Sequence, residues 1–169
     1  SPVLGPYIRK AMGAFDVDVI LDGEVIAWDN RTKTTIPFGD NRGIAKARRQ
    51  YLQKIGALDE RDLNCHQHDT DKNVYSVGDP DKSGKSKYDV EDGEHVWLRL
   101  IIFDILYISG KDANSVMKKA FGYLPKIPEV RNGSVIDIDL MQRKRLLYTL
   151  IKPEPEKIEI VETFVIRSD

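Results

Sequence analysis

The sequence is poor in cysteine. Cys65 is the single one, so no disulfide can form within the chain, which fits a reducing, intracellular compartment. It has no long hydrophobic run either, and nothing approaches the roughly 18 apolar residues of a membrane span. The opening SPVLGPYIRK lacks the apolar core of a secretory leader and no Met starts the chain, so the sequence reads as a fragment or an excised domain. No internal repeat appears. Neither sign of charge is in excess: 26 basic residues face 27 acidic ones. What remains is 169 residues, 41% hydrophobic and 31% charged, an ordinary globular composition with enough chain for one core.

The charge is unevenly spread. Asp59 to His95 holds eleven acidic and five basic residues, net −6 in a chain whose total is −1. The rest is therefore mildly basic, which permits a polyanionic partner without requiring one.

Hydrophobic periodicity gives a mixed order of elements. Leu4 to Ala14 reads as a short helix, and Val17 to Trp28 as a strand interrupted at Asp22-Gly23, where a bulge or tight bend is expected. Asn30 to Lys33 turns the chain into a short returning strand, Thr34 to Phe38. Asn41 is placed to cap a helix from about Gly43 to Ile55. Asp59 to Glu94 is polar and reads as a flexible surface loop. Val96 to Ile108, VWLRLIIFDILYI, is dense in branched and aromatic residues and reads as a strand. Lys111 to Ser134 reads as irregular. Asp139 is an N-cap for a helix Leu140 to Ile151, ended by Pro153. Lys157 to Ile166 alternates like a strand. Strands and helices mix without a βαβ rhythm, so the expected class is α+β.

Few residues here suggest chemistry. Glu24 lies in ILDGEVIAWD, a carboxylate within a strand, and spacing alone favours a glutamate on the wet face of a hairpin. Phe103, by itself, reads as a core residue of a buried strand, with Asp104 on the opposite face in a structural role. Arg143, Lys144 and Arg145 read as a solvated helix face or as phosphate contacts, and Arg42, Lys46, Arg48 and Arg49 as a second basic cluster. Asp79, Asp81, Ser83 and Gly84 imitate the start of a calcium loop, but Val90 stands where a bidentate glutamate is needed. Cys65, His66 and His68 lack an evident fourth ligand for zinc.

Three segments then line up in order. LDGEVIAWD resembles motif III of the ATP-dependent DNA ligases, IIFDILYISG resembles motif IIIa, and LMQRKRLLYTLI resembles the charged helix that follows. The hairpin pattern TTIPFG lies between the first two. Within that family LGPYIRKA…ILDGE and KPEPEKIEIVE are most similar to the DNA ligase IV branch. The resemblance covers Leu4 to about Phe38, Val96 to Ser109 and Ile136 to Glu162. It leaves out 59–95 and 111–134, which read as flexible, lineage-specific insertions.

The resemblance implies a partial adenylation (nucleotidyltransferase) domain over residues 1–169, with antiparallel sheets flanked by helices. It implies ATP and Mg²⁺ as cofactors and nicked or broken double-stranded DNA as substrate. It further implies a nuclear protein of non-homologous end joining that works with a scaffold partner. Such ligases form a lysyl-adenylate, pass AMP to a 5′-phosphate, and seal the break by attack of the 3′-hydroxyl. Glu24 is implied as the catalytic and metal-binding carboxylate beside the nucleotide, and Phe103 as the aromatic that stacks on adenine. The nucleophilic lysine of a K-x-D-G motif is not found: Lys10 is followed by AMG, Lys54 by IGA, Lys111 by DAN, and no other lysine fits. No E-G-[VLI]-M-[VIL]-K segment is found either. The chain alone is therefore expected to be inactive. An RNA ligase, a capping nucleotidyltransferase and a non-catalytic interaction module with the ligase fold stay open as alternatives.

Overall fold

The computed structural model describes residues 3–58, 87–128, 130 and 132–162. In chain order these form α1 (Gly5–Met12), β1 (Asp18–Asp29), β2 (Thr34–Ile36) and α2 (Asn41–Lys54). A single 3₁₀ turn (Asp92–Glu94), β3 (Val96–Ser109), α3 (Ala113–Phe121), α4 (Leu140–Leu150) and β4 (Ile158–Ile160) follow. The class is α+β, an open four-stranded sheet of order β2-β1-β3-β4 with helices about it.

The sheet is mixed, which corrects the expectation of antiparallel sheets. β1 and β2 pair antiparallel, Ala27 opposite Ile36 and Asp29 opposite Thr34, as the turn between them requires. β4 pairs parallel to β3, Leu100 opposite Ile158 and Ile102 opposite Ile160. A parallel return needs a long crossover, and the chain supplies it through α3 and α4. The stretch expected to be irregular, 111–134, thus carries α3, whose Val116, Met117, Ala120 and Phe121 are buried. Its two lysines and its polar first turn masked the apolar face.

The chain divides into two compact units, residues 1–6 with 26–98, and residues 7–25 with 99–169, where composition alone suggested one core. In the first unit α2 packs on the 3₁₀ turn. A Cβ at Gly93 would stand 2.4 Å from the Ala47 carbonyl oxygen, so only glycine fits beneath the helix. α2 begins at Asn41 with Asp40 as N-cap, two residues earlier than expected. The Asp40 carboxylate does not cap the helix, because it accepts from Tyr88 Oη (3.1 Å) and Lys87 Nζ (3.2 Å). Residues 87–94, the end of the expected flexible loop, are held by the ion pairs Lys54–Glu91 at 3.0 Å and Arg31–Asp92 at 3.3 Å. Residues 59–86, with Cys65, His66, His68 and the calcium-loop imitation, lie outside the described residues.

The second unit holds the larger core. Ile102, Ile105 and Ile108 of β3 meet Phe121 of α3, Leu146, Leu147 and Leu150 of α4, and Ile158 of β4. Asp139 caps α4 as expected, its carboxylate accepting the Met141 N–H at 2.8 Å. α4 stops at Leu150 and Ile151 turns to extended backbone ahead of Pro153. Of the strand expected over Lys157 to Ile166, Ile158–Ile160 is described as strand, and 163–166 lie outside the described residues.

Candidate functional site

β1 and β3 are neighbours in the sheet. Within the second unit Gly23 lies against Ile101 and Ile102, and Gly110 lies against Asp16 and Val17. Rising numbers on one strand meet falling numbers on the other, so the two run antiparallel. On β1 the even positions Ile20, Asp22 and Glu24 are exposed, while Val19, Leu21 and Val25 are partly buried. On β3 Phe103 is 39% exposed, between buried Ile102 and half-buried Asp104. Both expected site residues therefore present their side chains to solvent from adjacent strands.

Phe103 is not the core residue that a strand pattern alone suggests. Glu24 does stand on a wet face, and among the described residues its carboxylate has no hydrogen-bond or ion-pair partner. β1 runs unbroken through Asp22-Gly23. The glycine is needed for a different reason from the expected bend: a Cβ there would lie 2.4 Å from the Ile101 carbonyl oxygen.

Among the described residues no three of His, Cys, Asp or Glu gather into a metal cluster. Mg²⁺ is a hard ion that commonly takes one or two protein carboxylates and fills its shell with water and phosphate oxygens. An unpartnered, exposed carboxylate suits that task, and an open aromatic face suits a nucleobase.

Of the three cations of α4, Arg143 and Lys144 depart from the expected solvated or phosphate-binding face, and Arg145 stays exposed. Arg143 lies across Asp104: its Nε donates to both carboxylate oxygens at 3.0 Å and its Nη2 to Oδ2 at 2.7 Å. Lys144 is 7% exposed and donates to the Val161 carbonyl at 2.9 Å. Arg145 donates to the Ala120 carbonyl at 2.8 Å and stacks 3.8 Å from the Tyr123 ring centre. Lys144 lies three residues before buried Leu147 and so on the same helix face, a signal that its charge conceals. In the first unit Arg48 is also buried, donating to the Gly93 carbonyl at 2.6 Å and lying over Tyr51 and Trp97. Arg42 and Lys46 are the exposed members of that basic cluster.

Burial by itself pushes the Asp104 carboxyl up, but the Arg143 guanidinium and the Ile105 amide outweigh it and hold the group below 3.8. Burial lowers the Lys144 ammonium, with Asp104 opposing. A depressed carboxyl contributes stability above its unfolded pKa and loses it as pH falls through the folded value. Arg143→Gln is expected to cost about 2–3 kcal/mol at pH 7, since it strands a mostly buried carboxylate. The deficit should shrink as pH falls through the acid range and Asp104 protonates. Urea melts of both proteins across that range check this, and a pH-independent difference would contradict it.

Comparison with known families matches the described "ATP dependent DNA ligase domain" over residues 2–169. No curated protein matches the chain, and no solved structure does. The match takes in motif-like LDGEVIAWD, IIFDILYISG and LMQRKRLLYTLI together with the exposed Glu24 and Phe103, and the chain belongs to the ATP-dependent DNA ligase domain family.

Proposed function

We propose that the chain is the central part of the adenylation domain of an ATP-dependent DNA ligase and that the face bearing Glu24 and Phe103 receives the nucleotide. The observation that carries this is the pair itself: an exposed carboxylate without a partner among the described residues and an exposed phenyl ring on adjacent strands. The family match supports a DNA ligase over an RNA ligase or a capping nucleotidyltransferase.

Each residue has a definable task. The Phe103 ring gives adenine a stacking surface, worth roughly 1–3 kcal/mol per base. The Glu24 carboxylate would hold a divalent cation, which would supply positive charge to offset the charge that develops as a nucleotidyl group moves. The attacking amine is that of a K-x-D-G lysine from elsewhere in the full-length protein, because no lysine of this chain lies in that motif.

The finer assignment is a ligase IV-type enzyme of non-homologous end joining, acting in the nucleus on broken double-stranded DNA with a scaffold partner. LGPYIRKA…ILDGE and KPEPEKIEIVE support it. Among the described residues no helix is long and apolar enough to cross a membrane.

Adenylation tests the proposal. The full-length protein is expected to take a covalent label from ATP labelled at the α-phosphate, and to lose that ability when Mg²⁺ is chelated. Residues 1–169 alone should take none. A full-length protein that neither labels nor seals nicked DNA would count against it.

A further inference from the structure

Phe103 is tied on both sides to the same helix. On one side Asp104 is gripped by Arg143 through Nε and Nη2, and the Asp104 Oδ1 also accepts the Ile105 N–H at 2.8 Å. The remaining Arg143 nitrogen donates to the Ile136 and Ile138 carbonyls, so the guanidinium is fixed from two directions. On the other side the Ile102 carbonyl accepts the Val161 N–H at 3.0 Å, and the Val161 carbonyl accepts Lys144 Nζ at 2.9 Å. Arg143 and Lys144 are consecutive residues of α4. Between their two anchors lies one residue, Phe103, and it is the exposed member of the stretch Leu100 to Ile105.

Adhesion of α4 to the sheet does not need these charges. Leu146, Leu147 and Leu150 already bury their side chains there. A desolvated ion pair contributes little net stability compared with apolar packing, because losing water offsets the Coulomb attraction. Its directional bonds do impose a defined geometry, and rigid support is what a binding side chain requires. The cations are also spent on these bonds, which leaves them poorly placed to hold DNA phosphates.

We propose that Arg143 and Lys144 are positioning residues that clamp β3 on either side of Phe103 and hold its ring in the orientation that stacks on the base of ATP. This rests on the assignment of Phe103 to the nucleotide face. The clamp acts on how well ATP is held and leaves the chemical step alone, so its loss raises KM for ATP and spares kcat.

The experiment is ATP-titrated nick sealing by the full-length protein and its variants Phe103→Ala, Arg143→Lys, Lys144→Met and the double variant Phe103→Ala/Arg143→Lys. Arg143→Lys keeps the charge and loses the forked grip. It is expected to raise KM for ATP about 3- to 10-fold with kcat at saturating ATP within about 2-fold. Lys144→Met should do likewise, and it serves if Arg143→Lys does not fold. Arg143→Lys should add nothing to Phe103→Ala, because the ring it positions is gone. A fall in kcat with KM unchanged, or effects that simply add, would reduce the clamp to a structural role and overturn the proposal. If Phe103→Ala raises KM and neither α4 variant does, the clamp fails alone. If Phe103→Ala leaves KM unchanged, the nucleotide assignment fails and the clamp with it.

Discussion

Glu24→Ala in the full-length protein is expected to lower the rate of adenylation by about 100-fold or more while leaving the thermal transition unchanged. The size follows from removing a group that stabilises charge in the transition state, typically worth a factor of 10²–10³. The unchanged stability follows from the surroundings. Glu24 is exposed, and among the described residues nothing donates to its carboxylate. Truncating such a side chain removes no packing and strands no buried partner. Labelled-ATP adenylation and a melt on the same preparation separate the two effects. A rate within a few-fold of wild type would return Glu24 to an ordinary residue on a wet face. Raising Mg²⁺ should partly rescue a variant that has lost a metal ligand, and Glu24→Gln should be nearly as slow as Glu24→Ala, because the carbonyl oxygen of an amide is a weaker ligand for a hard cation.

Gly23→Ala is expected to destabilise the second unit strongly. The new Cβ would stand 2.4 Å from the Ile101 carbonyl oxygen and 3.2 Å from the Ile102 Cα. Both are backbone atoms of a central strand, so no side-chain rotation can relieve the overlap. Ile102 is 1% exposed and sits in the core, so shifting β3 disturbs that core too. Overpacking against a fixed neighbour costs typically 1–3 kcal/mol, and the upper end applies here. For a chain of this size that is a fall in Tm of about 6–12 °C. A differential scan of residues 1–169 or of the full-length protein checks it. A shift under about 2 °C would mean that β1 and β3 separate freely at Gly23.

Most elements were legible in the sequence because their signals are local. Asp139 announces the start of α4 by its side-chain chemistry, and the mix of branched and aromatic residues announces β3. The assignments that went astray depend on partners far along the chain. Asn41 reads as the cap of α2 but lies inside the helix, and the N-cap residue, Asp40, has its carboxylate taken by Tyr88 and Lys87. β4 lies parallel to β3 because of a crossover that periodicity does not reveal. α3 was hidden by a polar first turn and by Lys118 and Lys119 beside a narrow apolar face.

The site divides in the same way. The order of three motifs pointed to Glu24 and Phe103, and Asp104 was read as structural, as its pairing with Arg143 bears out. The roles of Arg143, Lys144 and Arg145 could not be read, since a run of cations on a helix looks solvated until the acceptors are known. All three are committed to oxygen atoms of the chain. Of the second basic cluster, Arg42 and Lys46 remain exposed.

The most direct measurement on the nucleotide face is photolabelling of the full-length protein with 8-azido-ATP in the presence of Mg²⁺, followed by mapping of the modified peptide. The azide sits on the adenine ring, so the label reports what touches the base. The expected result is modification within Val96–Ser109, suppressed by excess ATP and sharply reduced in Phe103→Ala. Label confined to other segments, with a yield indifferent to Phe103→Ala, would contradict the assignment of this face to the nucleotide.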